Sequence, residues 1–414
     1  MRRSVSTTAL QILSLAGCWA WVSCAAEPEV SSLTALPARI ERRPPPIFPE
    51  PRAITLPLSG DSRTLEVPGL PRGHIALNPG LARYRDRWVV VFRVDDYSDR
   101  GAWLSATRLA VMTLDDNFVP RSPLMFLPTP TMGAMAETGE DPRLVEHHGQ
   151  LFVVYNTSRL GPGLPSREIH VARLAVDREV EPWAFTLHAD KRLSACMTGR
   201  RPPCEKNWSP FSHDGALHFL YQSSPTLVLR LADEAFDDER GSLAIPNMVE
   251  PRSTVEIPWA FGEVRGGTQA VYDPEINRYV TFFHSRYLGQ INRGASQDHY
   301  FTGFYTFMPY PPFDIDGVYP APLITEPFLE ELERNRDIST AGTIVYVQGL
   351  VILGDRYWVS YGRADRNIGI MSFDRHGLID GLVDPRKNVW PTLPAEVEFT
   401  PSKRPLKPFR PVEP

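Results

Sequence analysis

The most regular feature of the chain is a recurring short run of apolar and aromatic residues. Five such runs follow turn-like polar stretches: WVVVFR from Trp88, LFVVYN from Leu151, LHFLYQ from Leu217, YVTFFH from Tyr279 and YWVSYG from Tyr357. Their starts lie about 60 to 80 residues apart, which is a loose but recurrent period. Runs of this length, bounded by turn residues, are typical of β-strands. The pattern therefore predicts five copies of one strand-based unit.

Each unit has further strands around its aromatic strand. Ten residues earlier a first short strand is predicted near Asn78, Asp141, Asn207, Gln269 and Val347. A third strand follows, in ATRLAVMTLD, REIHVARLAVD, TLVLRLAD, YFTGFYTF and NIGIMSFD. Three strands with room for a fourth make a propeller blade, and five blades must close around an axis to cover their faces. We therefore predict an all-β fold, a five-bladed β-propeller; a β-sandwich or unrelated strands at chance spacing is the alternative.

Composition agrees with many short strands. The 414 residues include 41 prolines and 28 glycines, and both residue types interrupt helices. Basic and acidic residues nearly balance, with a formal net charge of −5. Since neither sign of charge dominates, a polybasic nucleic-acid-binding protein is excluded.

The N-terminus has the layout of a secretion signal. Two arginines near the start precede a mostly apolar run from Ala9 to Trp21, and small residues follow up to Ala26. No later stretch has the ~18 apolar residues that a bilayer span requires. We therefore expect an exported protein, with residues 1–26 as its signal sequence.

Two cysteines leave the processing of that signal open. The residues LAGC, ending at Cys18, resemble a bacterial lipoprotein box, and those ending at Cys24 are a weaker match. Lipidation would anchor the protein to an outer surface, whereas cleavage near Ala26 would free it. The expected location is therefore secreted, periplasmic or outer-surface, and a membrane is contacted only through that lipid anchor.

Proline-rich segments bound the globular part. Residues 27–60 are predicted to be a linker and residues 391–414 a tail, because closely spaced prolines disfavour both helix and sheet. The propeller is expected to span residues 61–390. Within it, Cys196 and Cys204 lie in one loop-like stretch and are predicted to form a local disulfide in an oxidising compartment.

The sequence predicts no metal site. His147, His148 and His213 fall in turns between first and second strands, and no cysteine or carboxylate completes a familiar ligand spacing. No phosphate-binding loop or dinucleotide fingerprint occurs in a strand-to-helix setting. We therefore expect neither a metal nor an organic cofactor.

The candidate chemistry lies on the first strand of each blade, which lines the central channel of a propeller. Asp141 could act there as a general acid, or it could cap a blade or pair with Arg143, two residues on. Glu205 supplies a second carboxylate. If the two carboxylates face each other at roughly 6.5 to 9.5 Å, inversion of a glycosidic bond becomes feasible.

Other polar first-strand residues are candidate substrate contacts. Lys206 and Asn207 follow Glu205, and the indole of Trp208 suits the CH face of a sugar ring. Arg265, beside two glycines, could bind an anion or a sugar hydroxyl, or simply lie in a tight bend. Arg159 and His284, at the ends of second strands, could add to the same site; a surface or core role is the alternative for both.

The ordered motifs of the chain resemble those of one known family. They are EDPRL at 140–144, KNWSPF at 206–211, RGGT at 265–268, FFHS at 282–285 and YGRAD at 361–365. Together they are similar to the five-bladed propellers of glycoside hydrolase family 130, which comprises β-mannoside phosphorylases and hydrolases and is related to mannosyltransferases. The resemblance spans about residues 75–375.

The resemblance implies specific roles. Asp141 would be the general acid of an inverting reaction on an oligosaccharide, which agrees with the choice made from the residues alone. The family's sugar or phosphate contacts fall on the following residues: Asn78, Arg93, Arg159, Lys206, His284 and Asp365.

Two features bear on the co-substrate. Phosphorylases of the family use inorganic phosphate, but RGGT replaces their more usual proline-rich stretch in the fourth blade, and export places the protein where a sugar phosphate is poorly retained. Hydrolysis or glycosyl transfer outside the cytoplasm is therefore the preferred expectation, with phosphorolysis as a second alternative. A non-catalytic glycan-binding propeller and a protein-binding surface scaffold are the rival hypotheses.

Overall fold

A computed structural model describes residues 61–97, 107–129, 138–159, 166–178, 180, 182–194, 205–237, 242–291, 297–335, 342–387 and 396–397. The predicted signal sequence and linker lie outside these residues, as do Cys196, Cys204 and most of the predicted tail.

Short strands dominate the described chain. The first nine are β1 (Ser62–Thr64), β2 (His74–Tyr84), β3 (Arg87–Asp96), β4 (Thr107–Leu114), β5 (Met125–Leu127), β6 (Glu140–His147), β7 (Gln150–Arg159), β8 (Ser166–Arg178) and β9 (Ala184–Leu193). The next seven are β10 (Ser209–His213), β11 (Ala216–Ser223), β12 (Thr226–Leu231), β13 (Ser242–Ala244), β14 (Asn247–Met248), β15 (Glu263–Gly266) and β16 (Val271–Asp273). The last seven are β17 (Arg278–Ile291), β18 (Gln297–Phe307), β19 (Ile315–Val318), β20 (Val345–Leu353), β21 (Arg356–Arg363), β22 (Asn367–Asp374) and β23 (Glu396–Val397).

These strands form five sheets, which are the blades of a β-propeller. Blade 1 has the order β2-β3-β4-β5, blade 2 the order β6-β7-β8-β9 with β13 outside it, and blade 3 the order β10-β11-β12-β14. In blade 4, β15 and β16 both pair with β17, followed by β18 and β19, and β23 also pairs with β17. Blade 5 has the order β20-β21-β22-β1. The predicted fold class and the five aromatic second strands are confirmed.

The N-terminal strand closes the ring. β1 is the outermost strand of blade 5 and pairs antiparallel with β22, in the register Ser62 to Met371. The missing fourth strand of the last blade is thus supplied by the beginning of the propeller, which joins its two ends by main-chain hydrogen bonds.

Alternation along each second strand explains how the blades pack. In β3, Trp88 and Phe92 face blade 5 and pack with Trp358, whereas Val89 and Val91 face blade 2. Successive side chains of a strand point to opposite faces, so one apolar strand supplies two cores. The described residues contain five such clusters, each shared by two adjacent blades.

Helices are few and short in the described chain. A 3₁₀ helix spans Asp233–Phe236, and two α-helices follow, α1 (Glu326–Arg334) and α2 (Arg375–Asp380). The Thr325 side chain caps α1 by accepting a hydrogen bond from the Phe328 N–H, as N-cap threonines commonly do. None of the described helices has the length and apolar character needed to cross a bilayer.

Candidate functional site

Backbone bulges on the inner strands direct polar side chains toward the channel. The β2–β3 and β6–β7 ladders each change register, between Leu77 and Gly80 and between Glu140 and Arg143. The displaced residues Asn78 and Asp141 have φ values of 46° and 52°. A bulge re-aims a side chain, and Asn and Asp are the non-glycine residues that best tolerate this left-handed backbone.

Blade 3 repeats this geometry at a third position. Asn207, two residues before the start of β10, has a φ of 63°. The equivalent first-strand positions in three blades are therefore Asn, Asp and Asn in the same unusual conformation. The inner strand β6 contacts both β2 and β10, and the Asn78 side chain reaches Asp141. The Asn207 side chain accepts a hydrogen bond from Tyr346 of blade 5.

Asp141 is held by a neighbouring blade. The Asn78 amide nitrogen donates a 2.7 Å hydrogen bond to Asp141 Oδ1. Asp141 is only partly buried, and Oδ2 has no hydrogen-bond partner among the residues that the structure describes. One carboxylate oxygen is thus fixed while the other remains available to a substrate.

An arginine–carboxylate network lies beside Asp141. Arg93 donates two 2.7 Å hydrogen bonds to Asp95, one to each carboxylate oxygen, and lies 3.8 Å from Glu140. Glu140 also lies 3.5 Å from Arg167 and accepts a 2.7 Å hydrogen bond from the Ser158 hydroxyl. Asp95 and Glu140 are functional candidates that the sequence analysis did not select, although Asp95 is two residues from Arg93 and so shares its face of β3.

The pKa values of two carboxyl groups near this network, Glu140 and Asp365, shift in opposite directions. Burial alone would raise the pKa of Glu140, but the charges of Arg93 and Arg167 outweigh it and hold that pKa below its usual value. Desolvation raises the pKa of Asp365 despite the charge of Arg93, and the negative charges of Asp141 and Asp95 add to the rise. Asp365 is nevertheless open to solvent in the turn after β21.

Arg143 is buried and makes hydrogen bonds to residues of two other blades. Its Nε donates to the Gly267 carbonyl oxygen at 2.6 Å, and one terminal nitrogen donates to the Tyr346 hydroxyl at 3.0 Å. Tyr346 in turn donates to Asn207 Oδ1 at 2.8 Å. Arg143 is 1% exposed and does not pair with the Asp141 carboxylate; it reaches only the Asp141 main-chain oxygen, at 3.3 Å. Its guanidinium therefore positions inner strands and Asn207.

Glu205 and Trp208 are buried in surroundings that do not match the roles predicted for them. The Trp208 ring is 1% exposed and packs against Phe219 and Tyr221 in the core between blades 2 and 3. Its indole N–H donates to Glu205 Oε2 at 3.0 Å, and the Tyr221 hydroxyl donates to Oε1 at 3.4 Å. The expectation that this indole stacks on a sugar is corrected, because the core occupies its faces.

Burial also affects the ionisation of Glu205. Burial raises the pKa of its carboxyl group, although the hydrogen bonds from Trp208 and Tyr221 oppose the rise. With one oxygen engaged by the buried Trp208 and the other by the partly buried Tyr221, Glu205 is placed to fix the segment that carries Lys206 and Asn207. Its assignment as a catalytic base stays a prediction.

His284 of β17 is a buried residue of blade 4 that packs against two tyrosines. It is 2% exposed, stacks on Tyr300 at 5.3 Å and meets the edge of Tyr346 at 4.7 Å. Burial, followed by the charges of Arg265, Arg143 and Lys206, holds the pKa of His284 well below its usual value. Its imidazole is therefore neutral at physiological pH.

The remaining candidates occupy varied places. Arg265 is partly buried and pairs with Glu263, and Lys206 is partly buried near enough to act on both Glu140 and His284. The side chain of Arg159 is outside the described residues, as is the predicted disulfide. A hydrogen bond and charge interactions bring Asn78, Arg93, Asp141 and Asp365 to one region.

Comparison with known proteins identifies the fold. No protein-family model matches the chain, and no curated protein matches it. Among solved structures, a member of the GH130 family of mannoside phosphorylases has a TM-score of 0.51 at 15% identity, and the match covers 80% of this chain and 96% of its own. That family is described as containing glycoside hydrolases that target beta-1,2 mannosidic linkages in Candida mannan.

Two further structures agree with that match. A glycosyl hydrolase from Bacteroides ovatus has a TM-score of 0.50 at 16% identity, covering 79% of this chain and 93% of its own. A mannose phosphorylase from Leishmania mexicana, in complex with phosphate ion, has a TM-score of 0.50 at 15% identity, covering 78% and 92%. Similarity at this level of identity establishes shared architecture, and activity must be argued from the site. In fold, the chain is a five-bladed β-propeller like those of glycoside hydrolase family 130.

Proposed function

We propose that this protein is an exported carbohydrate-active enzyme that cleaves or transfers the glycosidic bond of a mannoside-like substrate with inversion, and that Asp141 is its general acid. The observation that carries the proposal is the placement of Asp141. A backbone bulge directs it inward, Asn78 holds Oδ1, and Oδ2 has no partner among the described residues. A general acid needs one oxygen from which a proton can pass to the leaving group.

The surroundings of Asp141 suit a reaction in which charge develops on a sugar. Arg93 and Glu140 form a fixed, largely buried charge pair beside it, and Asn207 adds an oriented amide. Such fixed groups cost little reorganisation when the transition state forms. The fold of the comparison structures, which include glycosidases and mannoside phosphorylases, supports the same class of substrate.

Water or a sugar hydroxyl is the favoured nucleophile. A phosphate ion would need arginine or lysine donors that are free to turn toward it. Arg93 is engaged by both oxygens of Asp95, Arg143 by main-chain oxygens and Tyr346, and Arg265 by Glu263. We therefore favour hydrolysis or transfer over phosphorolysis.

Inversion also requires a group that activates the nucleophile. The sequence favours Glu205, but its two oxygens accept hydrogen bonds from Trp208 and Tyr221 in a buried setting. Asp365 is open to solvent, and its charge interacts with those of Asp141 and Arg93. We propose Asp365 as the second carboxylate of the reaction.

A glycan screen tests this function. The full chain would be incubated with β-mannosides and other oligosaccharides, with and without inorganic phosphate, and the products separated by chromatography. We expect free sugar or a transfer product at the same rate in both series. Sugar phosphate appearing only with phosphate would replace hydrolysis by phosphorolysis. Saturable glycan binding without any product would instead establish a binding protein.

A further inference from the structure

Two consecutive histidines and an aspartate meet at a point distant from Asp141. His147 is the last residue of β6, and His148 begins the turn to β7. His147 Nε2 lies 2.7 Å from Asp233 Oδ1, and His148 Nε2 lies 2.9 Å from Asp233 Oδ2. Asp141 is at the other end of the eight-residue β6, about 20 Å away at the usual strand rise.

The local backbone explains how adjacent histidines face one partner. Neighbouring side chains of a strand normally point to opposite sides. His148 has a φ of 49°, which turns its ring back so that the two imidazole centroids lie 4.1 Å apart. The carboxylate comes from the 3₁₀ helix after β12 in blade 3, so no sequence spacing could reveal the cluster.

A hydrogen bond at its second ring nitrogen fixes the orientation of His147. Its Nδ1 lies 2.7 Å from the Ser212 hydroxyl, and the side chain is 3% exposed. Metal-binding histidines characteristically use one ring nitrogen for the ion and the other for such an outer hydrogen bond, which sets the tautomer. The pair His147 and Ser212 therefore presents Nε2 in the manner of a metal ligand.

The donor set and its geometry fit a transition metal. Two imidazole nitrogens and one carboxylate are common ligands of Zn²⁺, at bond lengths of ~2.0 to 2.2 Å, which place tetrahedral donors about 3.3 Å apart. One potential ligand atom from each residue lies within 4.8 Å of the other two, and each imidazole Nε2 is already within 2.9 Å of an Asp233 oxygen. His148 and Asp233 are 61% and 40% exposed, so water can reach a fourth position.

We propose that His147, His148 and Asp233 form a binding site for a divalent transition metal of the Zn²⁺ type. The ion would join the β6–β7 turn of blade 2 to the 3₁₀ helix of blade 3. The site is separate from the proposed glycosidic chemistry.

Calorimetric titration of the chelator-treated, tag-free full chain with ZnCl₂ tests the proposal. We expect one saturable site, a higher melting temperature with Zn²⁺ and no comparable effect of Mg²⁺, which prefers oxygen ligands. His148→Asn and Asp233→Asn should each weaken Zn²⁺ binding more than about 10-fold, since each removes or weakens a direct ligand. Asparagine also tolerates the backbone of His148.

The matched control is His376→Asn, which removes an equally exposed histidine near a carboxylate, Glu275, at 3.7 Å. It should bind Zn²⁺ like the wild type. Absence of a saturable site in the wild type would overturn the proposal. Equal losses in the control and in both site variants would also overturn it, because the ion would then bind to surface histidines without selection.

Discussion

At the scale of single residues, partners distinguish the carboxylates around the channel more than residue type does. Glu140 and Glu205 are both buried, yet Glu140 faces two arginines whereas Glu205 faces an indole N–H and a phenol. Burial acts to raise the pKa of both; the arginine charges bring the pKa of Glu140 below its usual value, whereas the hydrogen bonds to Glu205 only oppose the rise. Glu140 is thus a fixed negative charge beside Asp141 and Arg93, which anchors the network next to the proposed acid.

Replacing Glu140 by Gln tests that role. The change removes the buried negative charge beside Arg93 and Arg167, and we expect a loss of about 3 kcal/mol in unfolding free energy at neutral pH. A carboxylate with a lowered folded-state pKa stabilises above its unfolded pKa, and this stabilisation disappears as pH falls through the folded value. The difference between wild type and variant in urea unfolding should therefore shrink from about pH 7 to about pH 3.5.

The control for Glu140→Gln lies on the same strand. Glu146 is exposed, so Glu146→Gln should change the unfolding free energy by less than about 0.5 kcal/mol at either pH. A pH-independent loss in Glu140→Gln would mean that packing, and not charge, explains its effect.

At the scale of strands, close approach near the axis depends on glycine. A Cβ built on Gly266 would lie 2.1 Å from the Asn207 carbonyl oxygen, a contact that only movement of the backbone can relieve. Gly266 ends β15 in blade 4, and Asn207 precedes β10 in blade 3. The glycine of the RGGT motif therefore sets the spacing of two inner strands, and with it the position of the Asn207 side chain.

The Gly266→Ala variant should destabilise the protein by more than about 2 kcal/mol, since its closest clash is with a main-chain oxygen that no side-chain rotation can move. It should also weaken sugar binding by displacing Asn207. Gly149→Ala is the comparison: Gly149 has a φ of +70° but nothing within 4 Å, so only backbone strain of about 1 kcal/mol is expected. Thermal unfolding of both variants measures the difference. Equal losses would show that the inner strands are not closely packed there.

At the scale of the whole molecule, stability depends on joining the first strand to the last blade. β1 completes blade 5, and Leu65 immediately after it is buried in the cluster between blades 5 and 1. The main-chain N–H of Leu65 donates to the Ile368 carbonyl oxygen at 2.9 Å. Loss of this segment would expose an edge strand of blade 5 and open one inter-blade core.

Two N-terminal truncations separate this closure from the predicted signal and linker. Removing residues 1–60 should leave the melting temperature unchanged. Removing residues 1–66 also deletes β1 and Leu65, and it should lower the melting temperature by several degrees and promote aggregation. Similar melting temperatures for the two truncated chains would contradict ring closure by β1.

The sequence predicts the architecture well because the architecture is repeated locally. Each aromatic strand carries its own period-2 pattern, and five recurrences make the blades recognisable without knowledge of their contacts. The site is harder to predict from the sequence, because its hydrogen bonds join residues that are far apart along the chain, such as Asn78 with Asp141 or Asn207 with Tyr346. The sequence also does not show whether an aromatic residue beside a polar motif contacts a ligand or packs in the core; Trp208 lies in the core between blades 2 and 3.

Turnover by Asp141→Asn is the decisive test of the proposal that Asp141 donates a proton to the leaving group. Asparagine keeps the size of the side chain and tolerates the left-handed backbone. Asp214→Asn is the matched control, because Asp214 has a φ of 45° but lies in the exposed turn between β10 and β11. Product release from a substrate with a poor leaving group should fall by at least about 100-fold in Asp141→Asn, while glycan affinity stays near that of the wild type and Asp214→Asn is unaffected. Wild-type turnover by Asp141→Asn would show that another group donates the proton.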